Sequence, residues 1–136
     1  MKQVLVIHGG AGVIPKTFPP EKIKAYKNGL AKALKQGFSV LEKGGTALDS
    51  AMAAVMEFER DPLFNAGRGA VYTADETHEM DAAIMDGRTG GFGAACTLRR
   101  IKHPIGLARE IMVNSPHAFF SGEGAEDFAR KQGLSF

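Results

Sequence analysis

Two short segments of the sequence place potential catalytic groups beside glycines. Residues 8–12 form a glycine-rich turn after an apolar run, and Asn65 lies in the segment 64–67. Glycine lets a backbone turn sharply or approach a ligand closely. An asparagine amide can donate to a developing oxyanion or hold the hydroxyl group of a nucleophile. Taken alone, the first segment is better explained as a tight turn with positive φ angles, and the second as a loop asparagine that bonds its own backbone.

The glycine turn does not match the known nucleotide-binding motifs. Gly10 and Gly12 are followed by residues 13–15, Val-Ile-Pro, where a dinucleotide motif has its third glycine. Because Pro15, Pro19 and Pro20 delay the next helix, no helix N-terminus is placed to receive a pyrophosphate. The sequence also contains no Walker A motif and no Gly-x-Ser-x-Gly nucleophile elbow.

A run of carboxylates with one histidine resembles a set of metal ligands. Its members are Asp75, Glu76, His78, Glu79, Asp81 and Asp86. Alternation along a strand puts Glu79 and Asp81 on one face and His78 on the other. The 4 histidines of the chain do not follow a zinc-binding spacing. We therefore favour ordinary turn and strand chemistry over a side-chain metal site.

The composition predicts one soluble globular domain over residues 1–136. The chain is 44% hydrophobic and 24% charged, and its net charge of +2 is too small to favour nucleic acid or an anionic membrane as a partner. Its basic stretch, 99–103, is best explained as a solvated connection between a strand and a helix. The single cysteine, Cys96, excludes an intrachain disulfide, and no apolar run approaches a signal peptide or a membrane span of about 20 residues. We expect a cytoplasmic protein.

The hydrophobic pattern predicts an α+β fold. Helices are expected over 20–43, from the N-cap Thr46 through 47–58, over 104–114 and over 123–132, and strands over 2–8, 70–73, 78–85, 92–98 and 118–121. The strand over 2–8 is predicted to be buried, and the three middle strands to form an antiparallel meander. The helix over 47–58 is apolar almost all round, which is typical of a helix packed between layers. Because no element follows residue 133 to cover these surfaces, we expect a further part of the protein downstream.

Considered together, four segments resemble the plant-type asparaginase family. They are residues 8–12, 62–70, 79–87 and 114–117, and the resemblance extends from Lys2 to about Gly133. It implies an N-terminal-nucleophile (Ntn) hydrolase with a four-layer αββα sandwich, of which this chain is the N-terminal, α-subunit part. The family's precursor cleaves itself before a threonine, which then serves as both nucleophile and base. The implied substrates are L-asparagine and β-aspartyl (isoaspartyl) peptides, and the reaction needs no organic cofactor.

The nucleophile implied by the resemblance belongs to a β-subunit. The sequence begins Met1-Lys2, so removal of Met1 would not expose a threonine. We therefore expect a truncation, a fragment or one subunit of a two-chain enzyme, which is active only with its β-subunit in an (αβ)2 assembly. The alternative is a non-catalytic interaction domain. A glycosylasparaginase would share the fold, but those enzymes are usually secreted and disulfide-bearing, which the single cysteine argues against.

The resemblance also assigns roles to individual residues. Asn65 matches the asparagine that contacts the nucleophile, and Gly9, Gly10 and Gly12 match a loop near the active site whose flexibility affects self-cleavage. A structural sodium ion is expected on a curled backbone. Its ligands would be the carbonyl oxygens of Phe58, Glu59, Asp61, Phe64, Ala66 and Arg68. Residues 111–118 resemble a loop that binds a second alkali ion in some members, and we assign no site there.

Overall fold

The computed structural model describes residues 3–12, 15 and 17–136. In this part of the chain it contains four α-helices, one short 3-10 helix and a three-stranded sheet, which together make a mixed α/β fold. In chain order the elements are α1 (Pro20–Glu42), α2 (Ala47–Arg60), the 3-10 helix (Gly67–Gly69), β1 (Met80–Met85), β2 (Phe92–Leu98), α3 (Pro104–Asn114), β3 (Phe119–Ser121) and α4 (Gly122–Lys131). Among the described residues, no helix combines the length and the apolar character that crossing a membrane requires.

Helices α1 and α2 form a hairpin whose geometry follows from local sequence signals. Pro20 begins α1 at a position where a missing N–H group costs nothing. The Oγ1 atom of Thr46 caps α2 by accepting a hydrogen bond from the Asp49 N–H at 3.1 Å. The two helices approach closely at Gly37, where a Cβ atom would lie 2.9 Å from the Ser50 carbonyl oxygen. The buried Ser50 hydroxyl donates to the Gly37 carbonyl at 2.8 Å, which fixes how the first turn of α2 lies against α1.

The sheet combines one antiparallel pair with one parallel pair. β1 and β2 are antiparallel, with an irregularity between Met80 and Ala82, and β3 returns after α3 to pair in parallel with β2. The predicted antiparallel meander is therefore confirmed only for β1 and β2. The predicted strand over 70–73 is wrong, since this segment makes only an isolated bridge between Tyr72 and His78. Between these two residues the chain turns, with a hydrogen bond from the Thr73 N–H to the Thr77 carbonyl oxygen at 2.7 Å, and β1 begins two residues later than predicted.

The segment before α1 is extended, but it pairs with no strand among residues 3–12, 15 and 17–136. Leu5 and Ile7 face the helical hairpin, whereas Val4 and Val6 are 71% and 84% exposed. The prediction of a buried strand over 2–8 is therefore wrong for residues 3–8, and Lys2 lies outside the described residues. Alternation sends the apolar side chains to both sides of the segment, and the described chain covers only one side.

Helices α3 and α4 pack against β2 and form the largest buried core. Leu98 from β2, Leu107 and Ile111 from α3, and Ala125 and Ala129 from α4 are all completely inaccessible to solvent. The predicted helices and the predicted strand over 118–121 are confirmed to within two residues at each end. The four-layer αββα sandwich stays a prediction.

Glu126 joins α4 to the chain that leaves β2. Its side chain is 4% exposed, and its Oε1 atom accepts hydrogen bonds from the backbone N–H groups of Arg99 and Arg100, both at 2.8 Å. Its Oε2 atom accepts from the Arg100 guanidinium at 3.0 Å. Burial pushes the pKa of this carboxyl upward, but the hydrogen bonds from Arg99 and Arg100 outweigh burial and hold the pKa below its usual value.

We expect replacement of Glu126 by glutamine to lower the free energy of unfolding by about 1–3 kcal/mol at pH 7, because a charged acceptor of several buried hydrogen bonds is lost. A carboxyl whose pKa is lowered by folding stabilises the protein above its unfolded pKa of about 4.3 and loses that contribution as the pH falls through the folded pKa. The wild-type protein should therefore lose stability below about pH 4.3 more steeply than E126Q. Urea unfolding between pH 3 and 7 measures both slopes, and equal slopes would contradict the role given to Glu126.

Candidate active site

Asn65 lies in a tightly curled loop between α2 and β1. The loop leaves α2 at Asp61, whose Oδ1 atom accepts from the Leu63 N–H at 3.0 Å. It then folds back on α2 through the 3-10 helix. A Cβ atom at Gly67 would lie 2.3 Å from the Glu59 carbonyl oxygen, and Gly67 has a φ angle of 52°, so this position requires glycine.

The side chain of Asn65 bridges the curled loop. Its Oδ1 atom accepts a hydrogen bond from the Val71 N–H at 3.0 Å, six residues further along the chain. With the oxygen turned to Val71, the Nδ2 group is the donor that Asn65 presents on the surface of the loop. Asn65 therefore holds the loop closed with one end of its amide and offers a hydrogen-bond donor with the other.

A cleft of about 420 Å³ opens beside Asn65, within the range of small-molecule sites. Its walls are the C-terminal part of α2, the curled loop, the start of β1 with the residue before it, and the first turn of α3. Four polar side chains line it, namely Glu59, Asn65, Glu79 and Asp81. Glu79 and Asp81 both line the cleft, but Met80 between them lines it too, and the pairing of β1 is irregular at this point, so the lining does not follow strand alternation. Glu79 accepts from Arg99 at 2.7 Å and Asp81 from the Thr97 N–H at 2.9 Å, so both carboxylates already have partners in the fold.

Glu59 lies at the base of this cleft and is 3% exposed. Its Oε1 atom accepts from the Ile105 N–H at 2.8 Å, and its Oε2 atom lies 3.0 Å from the Nδ1 atom of His103. Burial raises the pKa of the Glu59 carboxyl to about 7, although the Ile105 N–H and the charge of Arg60 act to lower it. Burial also favours the neutral form of His103 and so lowers the pKa of its ring. The positive charges of Arg60 and Lys102 lower this pKa further. The pair links the end of α2 to the start of α3.

This link is the feature of the site that the sequence did not reveal. The resemblance assigns Glu59 only a backbone carbonyl, and nothing in the sequence joins it to His103. The available signals were two glutamates, Glu57 and Glu59, at the end of a mostly apolar helix and a His-Pro step before the next helix.

The glycine turn meets the curled loop at Gly9. A Cβ atom at Gly9 would lie 2.8 Å from Cδ2 of Leu30 and 3.0 Å from Cε1 of Phe64, the neighbour of Asn65. Gly10 has a φ angle of 120°, which confirms the predicted turn with positive φ. Within the described part of the chain, the lining of the cleft includes neither Gly9 nor Gly10 nor Gly12.

The predicted sodium ligands all lie at the end of α2 and in the curled loop. The carbonyl oxygens of Glu59 and Phe64 both face the 3-10 helix, since Cβ atoms at Gly67 and Gly69 would lie 2.3 and 2.0 Å from them. The carbonyl oxygens of Phe58, Phe64 and Ala66 each accept one backbone hydrogen bond, at 3.2, 2.8 and 3.0 Å, and each keeps a second lone pair. Carbonyl oxygens are donors of the kind that suits a hard cation. The residues present fit such an ion.

Comparison with known proteins bears on the family resemblance. The sequence model of the asparaginase family matches residues 1–136. The chain belongs to this asparaginase family. The resemblance predicted from the four segments is thereby confirmed, and the cleft beside Asn65 becomes the candidate site of an asparaginase-type fold.

Several members of the family are similar to nearly the whole chain. An isoaspartyl peptidase of Salmonella typhimurium is 46% identical over 135 residues, which are 98% of this chain and 43% of the relative. An isoaspartyl peptidase/L-asparaginase of Danio rerio is 43% identical over 98% of this chain and 42% of its own length. A probable isoaspartyl peptidase/L-asparaginase of Arabidopsis thaliana is 43% identical over 96% and 40%. The chain thus spans about two fifths of the length of the curated relatives it matches.

Proposed function

We propose that this chain is the α-subunit part of a hydrolase that cleaves the side-chain amide of L-asparagine and of β-aspartyl (isoaspartyl) peptides. The observation that carries this proposal is the 46% identity, over 98% of the chain, to a protein named isoaspartyl peptidase. Other relatives of similar identity are named isoaspartyl peptidase/L-asparaginase. In the proposal, the nucleophile is a threonine at the start of a β-subunit, freed when a common precursor cleaves itself.

The proposed reaction gives Asn65 a definite task. The threonine hydroxyl attacks the side-chain carbonyl carbon, the threonine α-amine takes the hydroxyl proton, and ammonia or a peptide amine leaves. Water then hydrolyses the acyl-enzyme and releases aspartate. The Asn65 Nδ2 group donates a hydrogen bond to the hydroxyl oxygen and orients it for attack, while the Oδ1 atom stays bonded to the Val71 N–H.

The exposed apolar surface of the chain supports a β-subunit as partner. Val4 and Val6 project from an extended segment without a neighbouring strand in the described chain, and Tyr72 and Met85 are 69% and 64% exposed. An unpaired extended segment with apolar side chains favours pairing with another strand. We therefore propose that the β-subunit adds strands here to complete the αββα sandwich, and that two such pairs form an (αβ)2 enzyme.

We also propose that the curled loop binds a structural sodium ion through the carbonyl oxygens already named. Such an ion would fix the backbone on either side of Asn65 and take no part in the chemistry. Replacing sodium by tetramethylammonium, a cation too large for the loop, should then lower the melting temperature. A ligand at one hundred times its Kd stabilises a protein by about 2.7 kcal/mol. Melting curves at constant ionic strength measure this effect, and identical curves in both salts would contradict the sodium site.

The proposed activity can be tested on the natural protein that contains this chain. We expect aspartate to be released from L-asparagine and from a β-aspartyl dipeptide, and no hydrolysis of the matching α-aspartyl dipeptide. The α-linked peptide is the matched control, because it differs only in the carboxyl group that forms the bond. If neither L-asparagine nor the β-linked peptide is hydrolysed, the proposed substrate class is wrong.

A further inference from the structure

The carboxylate of Glu59 serves as the N-terminal cap of a helix that is distant in sequence. Helix α3 begins at Pro104 after His103, and His103 provides no side-chain cap of its own. The first N–H groups of a helix lack partners within it and attract negative charge. Glu59 supplies the missing partner, because its Oε1 atom accepts a hydrogen bond from the Ile105 N–H at 2.8 Å. Its Oε2 atom contacts the His103 ring at 3.0 Å, so both carboxylate oxygens are engaged at the start of α3.

The backbone of Glu59 belongs to the opposite wall of the cleft. Glu59 lies in the last turn of α2, and its carbonyl oxygen lies against Gly67 in the curled loop that carries Asn65. Pro104 and Ile105, which its side chain holds, line the facing wall. One residue therefore connects both walls, through its backbone on one side and its carboxylate on the other.

Glu57 shows that burial of a carboxylate on α2 does not by itself produce this connection. Glu57 is 7% exposed and lies two residues before Glu59 on the same helix. Its oxygens pair with Lys32 at 2.8 Å and with Arg60 at 2.6 Å, and Glu57 does not belong to the cleft lining. A buried carboxylate in the last turns of α2 can therefore find charged partners without contacting α3.

We propose that Glu59 is a positioning residue whose buried carboxylate holds the first turn of α3 against the Asn65 loop and so sets the width of the cleft. The part of this inference that concerns catalysis rests on the proposed function. The part that concerns local structure does not, because it can be measured in a protein that hydrolyses nothing.

Hydrogen exchange of the natural full-length protein tests the structural part. In E59A, we expect the amides of residues 105–107 and 65–71 to exchange about tenfold faster, the scale of a lost buried hydrogen bond. In the matched control E57A, both segments should exchange as in the wild type, since Glu57 touches neither. Unchanged exchange in E59A, or an equal change in E57A, would overturn the inference.

Two further variants keep the test decisive. If E59A does not fold, H103A replaces it, because this variant removes only the contact at Oε2, and a smaller increase in the same two segments is expected. E59Q retains an acceptor for the Ile105 N–H and an amide that can donate to the His103 ring, so it should restore wild-type exchange. A uniform change across the whole protein in H103A, without a local maximum at these segments, would contradict the proposal.

Kinetics of the complete enzyme test the catalytic part. A shift of about 1 Å in a group that orients a reacting atom can lower kcat by about 10²-fold. We expect E59A to lower kcat on this scale with a small change in KM, and E59Q to recover most of the lost rate. Unchanged kcat in E59A would overturn the role in catalysis. A wild-type protein without any hydrolysis would instead count against the proposed function, and the exchange measurement would still decide the role of Glu59.

Discussion

Replacing Asn65 by alanine is expected to lower kcat/KM of the complete enzyme by about 10²–10³-fold, the usual effect of removing one donor that acts on the reacting atoms. The fold should survive, because Asn65 is exposed and makes one hydrogen bond to the Val71 N–H, whose loss costs about 1 kcal/mol. Steady-state rates of aspartate release, measured together with thermal unfolding, separate the loss of activity from the small loss of stability.

The variant N65D isolates the donor from the acceptor. Aspartate keeps an oxygen for the Val71 N–H and removes only the Nδ2 group. N65D should therefore be as stable as the wild type and about as inactive as N65A. Asn28, an exposed residue of α1, provides the matched control, and N28A should retain full activity. Full activity in N65D would show that Asn65 donates nothing to the nucleophile.

The second large effect is expected at Gly69, where alanine should lower the free energy of unfolding by about 3 kcal/mol, the upper end for overpacking. An added Cβ atom would lie 2.0 Å from the Phe64 carbonyl oxygen and 2.8 Å from that of Pro62. Both obstacles are backbone atoms, so the loop has to open to make room. Since Phe64 precedes Asn65, the variant should also lose activity. Urea unfolding of the complete protein measures the change in stability.

The appropriate control for Gly69 is another glycine with free space around it. At Gly87, in the turn between β1 and β2, no heavy atom of the described residues lies within 4 Å of an added Cβ atom. G87A should therefore change the free energy of unfolding by no more than about 0.5 kcal/mol. Equal stability of G69A and G87A would contradict the tight curl described for the loop.

The helices could be predicted from the sequence because their signals are local. Pro20 and Pro104 mark two starts, the Thr46 cap marks another, and apolar spacing defines the bodies. The strands were harder to predict, because a strand forms beside a partner strand and a local sequence pattern does not identify that partner. Residues 3–8 have the composition of a buried strand, yet the described chain offers them no neighbour. β3 was placed correctly along the sequence, but its parallel pairing with β2 depends on how α3 crosses the sheet.

The candidate site was only partly accessible to sequence reasoning. Strand alternation grouped Glu79 with Asp81, and both line the cleft, but Met80 between them also lines it because the pairing of β1 is irregular there. The role of Asn65 came from the family resemblance, since its residue type and neighbours alone favoured an ordinary loop residue. The link from Glu59 to His103 and Ile105 could not be predicted from the sequence. Those residues are 44 and 46 positions away from Glu59 and contact it only after α2 and α3 have packed.

The β-subunit threonine, the sodium ion and the (αβ)2 assembly remain proposals, and the cytoplasmic location predicted from the sequence stays a prediction. The threonine and the assembly share one premise, namely that this chain works beside a second chain cut from the same precursor. The exposed side chains of Val4 and Val6 support that premise.

The most direct test is to determine the intact masses and the N-terminal sequences of all chains in the natural mature protein. We predict two chains that copurify, of which one contains residues 3–136 and the other begins with threonine. A mature protein in which no chain begins with threonine would contradict the proposed hydrolase, and would favour a non-catalytic interaction domain.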